Sequence, residues 1–319
     1  MKLLLGLLSL VTAMFCTGCG ALMAEDSSSP ELADAGGPDQ TAPDAMPVPE
    51  YNGPRKKGIA IHQRAFDWSE KVAAVKPFWS YSWGSKLSQF QPNGVEFVPM
   101  IWSGALSDEE AESLRQQYAA GDIKYLLGYN EPDGERQANM SVDRALELWP
   151  QLEATGIPLV SPSPVHYDNE WMIEFMRRAG ENNLRIDYLA FHWYGGTDAQ
   201  YFLDLLDRVY ERYQLPIWIT EFAPADWEAT SRENNRMRPE WVLEFMRTVL
   251  PELDRRDYIV RYAWYHDYSG TAVWTSALFD DEGVLWAKLR EGFVNLLQLF
   301  DVYVRPTGAV GIEATACHR

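Results

Sequence analysis

The chain has 319 residues, 46% of them hydrophobic and 13% aromatic, with 13 tryptophans. That supplies enough apolar surface for a sizeable core and excludes general disorder. A formal net charge of -18 excludes nucleic acid as a partner, because phosphates would be repelled, and suits a neutral ligand.

Residues 1–19 read as an export signal. Lys2 precedes an apolar run over 3–15, shorter than the ~20 residues a membrane-spanning helix needs. Thr17, Gly18 and Cys19 resemble a bacterial lipobox, in which the cysteine becomes the lipidated first residue; Cys16 departs from the aliphatic residue usual there. An ordinary cleaved signal is the alternative. Export is expected either way, with Cys19 as the lipidation site and a lipid anchor as the only tie to a membrane. Residues 20–54 are rich in Pro, Ser, Ala, Gly and Asp, with no Lys or Arg between Lys2 and Arg55, so they form an acidic, disordered linker. The remaining cysteine, Cys317, falls in a C-terminal tail at 303–319. The globular part, 55–302, thus has no candidate disulfide and no metal-binding cysteine pair.

From residue 58 the pattern becomes a steady alternation. Apolar runs at 58–62, 77–83, 96–102, 125–131, 159–161, 186–194, 216–223 and 260–266 read as eight strands. Between them, helices are expected over 66–76, 108–120, 142–155, 169–179, 198–213 and 239–250, with a last one at 285–299. Ser107 with Glu110 three residues on marks a helix start, and Gly121 marks its end. Phe202, Leu205, Leu206 and Val209 share one face of their helix. Eight alternating units predict a single (β/α)8 barrel of the α/β class, irregular around strands two and three, where the connection is poor in helix. An open doubly wound sheet would want a glycine-rich phosphate turn, and there is no GxGxxG or P-loop.

In such barrels the chemistry sits at the C-terminal strand ends. The fourth strand ends in Asn130, Glu131, Pro132 and Asp133, and Pro132, lacking an N–H, must stop the ladder there. The seventh delivers Glu221 in the equivalent place. Trp83, Trp102, His192, Tyr194 and Trp264 end other strands, and His192 and Tyr194 share strand parity. Aromatic rings with little positive charge suit sugars, whose C–H faces stack while their hydroxyls hydrogen-bond; phosphates would call for Arg, Lys or backbone nests. Glycoside hydrolysis needs one protonated and one ionised carboxyl flanking the bond, about 5 Å apart when configuration is retained.

Three motifs then carry a resemblance: Gly128 to Asp133 (GYNEPD), Phe191 to Tyr194 (FHWY) and Trp218 to Phe222 (WITEF). In this order and at these strand ends they resemble glycoside hydrolase family 128, the Asl1-like glycosyl hydrolase core, over residues 55–299. The resemblance implies an endo-β-1,3-glucanase acting by double displacement, with Glu131 as acid/base and Glu221 as nucleophile. It implies that Asn130 bonds the sugar 2-hydroxyl and that His192 and Tyr194 line the same face. Trp83, Trp102 and Trp264 are added as sugar-binding residues by position alone.

Other readings compete. Rings at strand ends often serve packing. Two histidines near a glutamate raise a metal site, but no HExxH or cysteine ligand supports it, and no cofactor is expected. The run 280–283 lacks the ligand spacing of a calcium loop, and Ser161 and Ser163 lack a nucleophile elbow. A non-catalytic β-glucan-binding surface protein, or a retaining glycosidase on another β-glycan, stays open as the alternative.

Overall fold

The computed structural model describes residues 55–63, 67–265 and 275–279. The signal, the linker, His266, the run 280–283, the helix at 285–299 and the tail lie outside the described residues. The elements are β1 (Lys57–Ala60), α1 (Trp68–Val75), β2 (Trp79–Tyr81), β3 (Glu96–Phe97), α2 (Asp108–Ala120), β4 (Leu126–Leu127), α3 (Val142–Glu153), β5 (Leu159–Val160), α4 (Glu170–Glu181), β6 (Leu189–Gly195), α5 (Ala199–Tyr213), β7 (Ile217–Pro224), α6 (Pro239–Arg255) and β8 (Ile259–Tyr265). All eight expected strands are present, and β2 and β3 are joined without a helix. Among the described residues, no helix is long and apolar enough to cross a membrane.

Local chemistry explains the helix starts. Ser107, Ser141, Asn169 and Asp198 each accept a hydrogen bond from the backbone N–H three residues on, which satisfies a donor that has no partner within the helix. Gly121 ends α2 with φ +83°, a conformation that favours glycine. Glu110 does not return the bond to Ser107 as a full capping box would; its carboxylate accepts from the Ser85 hydroxyl.

All strand pairings are parallel. Six strands form one sheet in the order β3-β2-β1-β8-β7-β6, and β4-β5 form another. Single bridges span both gaps, Met100 with Leu127 and Val160 with Tyr188. The order therefore runs once around, with two seams held by isolated bridges rather than ladders. The irregularity extends past β2–β3 to both flanks of the β4-β5 pair, where the strands are only two residues long.

The inward-facing residues Ala60, Trp79, Tyr81, Val98, Met100, Leu127, Val160, Ala190, Trp218 and Ala263 form an interior cluster. The outward residues of the strands join larger clusters with the helices, including Phe202, Leu205, Leu206 and Val209 of α5. The interior ends at Arg261, whose guanidinium lies 4.7 Å from the rings of both Tyr125 and Trp218 and pairs with Glu96 at 2.9 Å. Gly128 is explained by space: a Cβ there would sit 2.9 Å from the Trp149 ring and 3.0 Å from the Pro162 backbone.

Candidate active site

β7 is central to the site because it breaks the strand alternation. Trp218 faces the interior, Ile219 the helices, and Phe222 the helices again. Strict alternation would turn Thr220 inward and Glu221 outward. Instead the β6–β7 register jumps, from Phe191 opposite Ile219 to His192 opposite Glu221. Thr220 is the extra residue of a bulge, and the bulge swings Glu221 into the mouth. The Thr220 hydroxyl, still inside, lies 3.2 Å from that of Ser163.

Glu131 reaches the mouth by a different device. Its N–H donates to Ser163 O at 2.7 Å and the N–H of Asn130 to Trp102 O at 3.0 Å, which continues the ladder just past β4. Glu131 then takes φ +43°, in the left-handed region, and turns the chain toward Pro132. Trp83 does the same after β2, at φ +58°. A non-glycine residue held there costs about 1–3 kcal/mol, so both positions carry strain beside the two carboxyls. Asp133 is tied up structurally: its carboxylate accepts from Val165 N at 2.8 Å and from Asn169, and so holds the β5–α4 loop.

The two glutamates approach each other with His192 between them. Ligand-type atoms of Glu131, His192 and Glu221 all lie within 4.8 Å of one another, and all three residues are buried. His192 Nδ1 is 3.1 Å from Glu131 Oε1, and its Nε2 is 3.5 Å from Glu221 Oε1. Burial works to lower the imidazole pKa. The charge of Glu221, the hydrogen bond to Glu131 and the charges of Glu131 and Asp133 outweigh it and hold the pKa above its ordinary value.

Three donors converge on Glu221. The Tyr81 hydroxyl (2.9 Å) and the Trp83 indole N–H (2.8 Å) donate to Oε1, and the Tyr194 hydroxyl donates to Oε2. Burial, then the negative charge of Glu221, push both tyrosine hydroxyls well above their usual pKa, so they remain donors. Three of the carboxylate's four lone-pair directions are thus engaged, and one on Oε2 is left over. The same set bears on metal binding. Glu131, His192 and Glu221 offer three ligand atoms, but a cation at Glu221 would compete with three donors for the same oxygens.

Around Glu221 runs an arc of rings from the ends of β1, β2, β8 and β6 and from the loop after β7. His62 meets Trp83 at 4.4 Å between centroids, Trp83 meets Tyr265 at 6.0 Å, Tyr265 meets Tyr194 at 5.3 Å, and Tyr194 meets Trp227 at 5.5 Å.

Most of the residues singled out in the sequence come together here: Glu131, Glu221, Asn130, His192, Tyr194 and Trp83. Asn130 is buried, its Nδ2 3.4 Å from Gln137 Oε1 and its Oδ1 without a partner among the described residues. Trp102 is partly exposed and packs against the interior cluster. Trp264 is a correction. Its side chain is fully buried among the outer-layer residues, its indole donating to Ser276 O at 2.9 Å and its ring 5.1 Å from that of Phe222. It points away from the mouth, and its neighbour Tyr265 takes the inward place. Sequence reasoning also missed Tyr81 and Trp227. Tyr81 shares parity with Trp83 two residues on, and that parity was the available signal.

An eight-stranded parallel β/α fold with two carboxyls facing each other across the strand ends defines a barrel-type glycoside hydrolase. The profile of the glycosyl hydrolase catalytic core matches residues 58–290. The chain belongs to that family and, within it, to glycoside hydrolase family 128. It is similar to a subgroup I endo-β-1,3-glucanase of family 128 from Amycolatopsis mediterranei, solved with laminaritriose, at 30% identity, covering 76% of this chain and 99% of the other, with a TM-score of 0.63. A subgroup II endo-β-1,3-glucanase from Pseudomonas viridiflava matches at 30% identity over 76% of this chain and 98% of its own, with a TM-score of 0.60. Alkali-sensitive linkage protein 1 of Schizosaccharomyces pombe is 30% identical over 222 residues; the match takes in 66% of this chain and spans 38% of the yeast protein.

Proposed function

We propose that this glycoside hydrolase cleaves β-1,3-glucan internally and with retention of configuration, as an exported protein anchored through Cys19. The carrying observation is the approach of the Glu131 and Glu221 carboxyls to within 4.8 Å. That spacing leaves no room for a water between the sugar and the second carboxylate, and about 5 Å is the retaining value. The β-1,3-glucanase activity of the family 128 neighbours supports the choice of glucan, and the aromatic arc, in which no Lys or Arg takes part among the described residues, supports a neutral sugar.

In the first step Glu131 gives its proton to the glycosidic oxygen while a Glu221 oxygen attacks the anomeric carbon. The glycosidic C–O bond breaks and an ester to Glu221 forms. The shortened chain leaves as an alcohol. In the second step Glu131, now ionised, takes a proton from water as the oxygen of that water displaces Glu221. Asn130 Oδ1, a buried acceptor without a partner among the described residues, accepts from the sugar 2-hydroxyl.

The test is digestion of laminarin, curdlan, cellulose and mannan, with product sizing and anomeric NMR in the first minutes. Oligosaccharides of mixed length from the β-1,3-glucans, appearing first as the β-anomer, are expected. The α-anomer would overturn retention. Cleavage of cellulose or mannan instead would reassign the glycan, and binding without product would make this a glucan-binding protein. Globomycin-sensitive processing at Cys19, read by mass spectrometry, tests the anchor.

A further inference from the structure

The loop after β7 carries a tryptophan that the site chemistry above does not use. Trp227 is 68% exposed, the most exposed of the large hydrophobic side chains among the described residues. Singly exposed rings are common on protein surfaces, so the exposure matters here only through where the ring stands. Its place is specific. It stands edge-on to Tyr194, whose hydroxyl donates to Glu221, so one ring separates it from the nucleophile.

The loop is built to hold it there. Asp226, next in the chain, is buried. Its carboxylate accepts from the backbone N–H and the Nε–H of Arg236, both at 2.9 Å, and from the backbone N–H of Glu228 at 3.3 Å. These bonds to Arg236 hold the Asp226 carboxyl well below the usual carboxylate range. The clasp closes the segment between 226 and 236, and Asn234 stiffens it further by accepting from the N–H groups of Thr230 and Ser231. The clasp pairs a buried carboxylate with a solvent-facing guanidinium at the base of the loop, and the residue beside Asp226 is Trp227.

We infer that Trp227 is a sugar-stacking platform for a glucosyl unit next to the one being cleaved, and that Asp226 and Arg236 are positioning residues which hold that platform against Tyr194. The inference rests on the proposed glucanase reading. The occupant is a neutral hexose ring: the platform offers an apolar face, continuous with the arc around Glu221.

Trp227→Ala, Trp227→Tyr and Asp226→Asn are to be compared with the wild type on laminarihexaose and laminaritriose. Trp227→Ala is expected to raise KM for the hexaose about tenfold, with kcat falling less than threefold, because the lost contact lies away from the reacting centre. Trp227→Tyr restores most of the affinity. Asp226→Asn raises KM in the same direction without the pH profile moving. Affinities for laminarihexaose in a Glu221→Gln background, by calorimetry, check the same order without turnover. An active wild type whose KM and affinity are unchanged by Trp227→Ala overturns the platform alone. A wild type that cleaves no β-1,3-glucan overturns the proposed function and this inference with it. Circular dichroism shows whether each variant is folded; a rise in KM from Asp226→Asn that is absent from Trp227→Ala would remove the platform and leave the clasp structural.

Discussion

Replacing Glu221 by Gln separates charge from shape at the proposed nucleophile. The Trp83 indole is a donor only, so the amide oxygen of Gln must take the place of Oε1, where Trp83 (2.8 Å) and Tyr81 (2.9 Å) donate. The amide nitrogen then faces Tyr194, whose hydroxyl can turn and accept. All three contacts survive, but each loses its charge assistance, about 1 kcal/mol apiece and ~3 kcal/mol together. Removing a buried charge returns several kcal/mol of desolvation, so the net change in stability is expected within about 2 kcal/mol. Turnover behaves differently, because an amide cannot form the glycosyl ester: kcat should fall by about 10⁴-fold or more. Initial rates on laminarin, calorimetric affinity for laminarihexaose and urea midpoints read the three quantities separately. Turnover within tenfold of wild type, in a folded variant, would remove Glu221 from the nucleophile role. As a second check, azide added to Glu221→Ala should give the α-glycosyl azide, since it attacks from the vacated face.

Three further predictions concern the groups around the pair. Tyr81→Phe removes the single O–H that lies within reach of both Glu221 Oε1 and Thr220 O, and should lower kcat/KM about 10- to 100-fold in steady-state assays, with little change in KM. The raised pKa of His192 means the folded protein binds that proton more tightly than the unfolded chain does. The stability it contributes is present in full below the ordinary value of 6.5 and is lost as pH rises through the folded value; His192→Asn should flatten this part of the profile in urea titrations run from about pH 5 to 9. Arg261→Ala leaves Glu96 short of its 2.9 Å partner and opens space under Trp218 and Tyr125, and thermal unfolding should report a loss of about 3 kcal/mol.

Sequence reasoning reached furthest where local rules decide the outcome. Strand and helix alternation, the helix start at Ser107 and the stop at Pro132 are written in single residues and short windows, and the structure keeps them. The length of a strand is less local: the runs at 96–102 and 125–131 pair as ladders over only two residues each, because ladder length depends on the neighbour as well as on the run.

The site residues divide the same way. The two glutamates are legible because a carboxylate ending an apolar run is anomalous. Trp264 misleads because a ring at a strand end carries no sign of which side it faces, and here Tyr265 faces in. For Glu221 the parity of its own strand points the wrong way, with Trp218 turned inward three residues before it. Only the one-residue jump in pairing with β6 brings it opposite His192, and that jump is a property of two strands packed together. The sequence thus determined which groups exist at the mouth, while the tertiary structure decided which of them meet: the Glu131–His192–Glu221 cluster, the three donors on Glu221, and the clasped loop that presents Trp227.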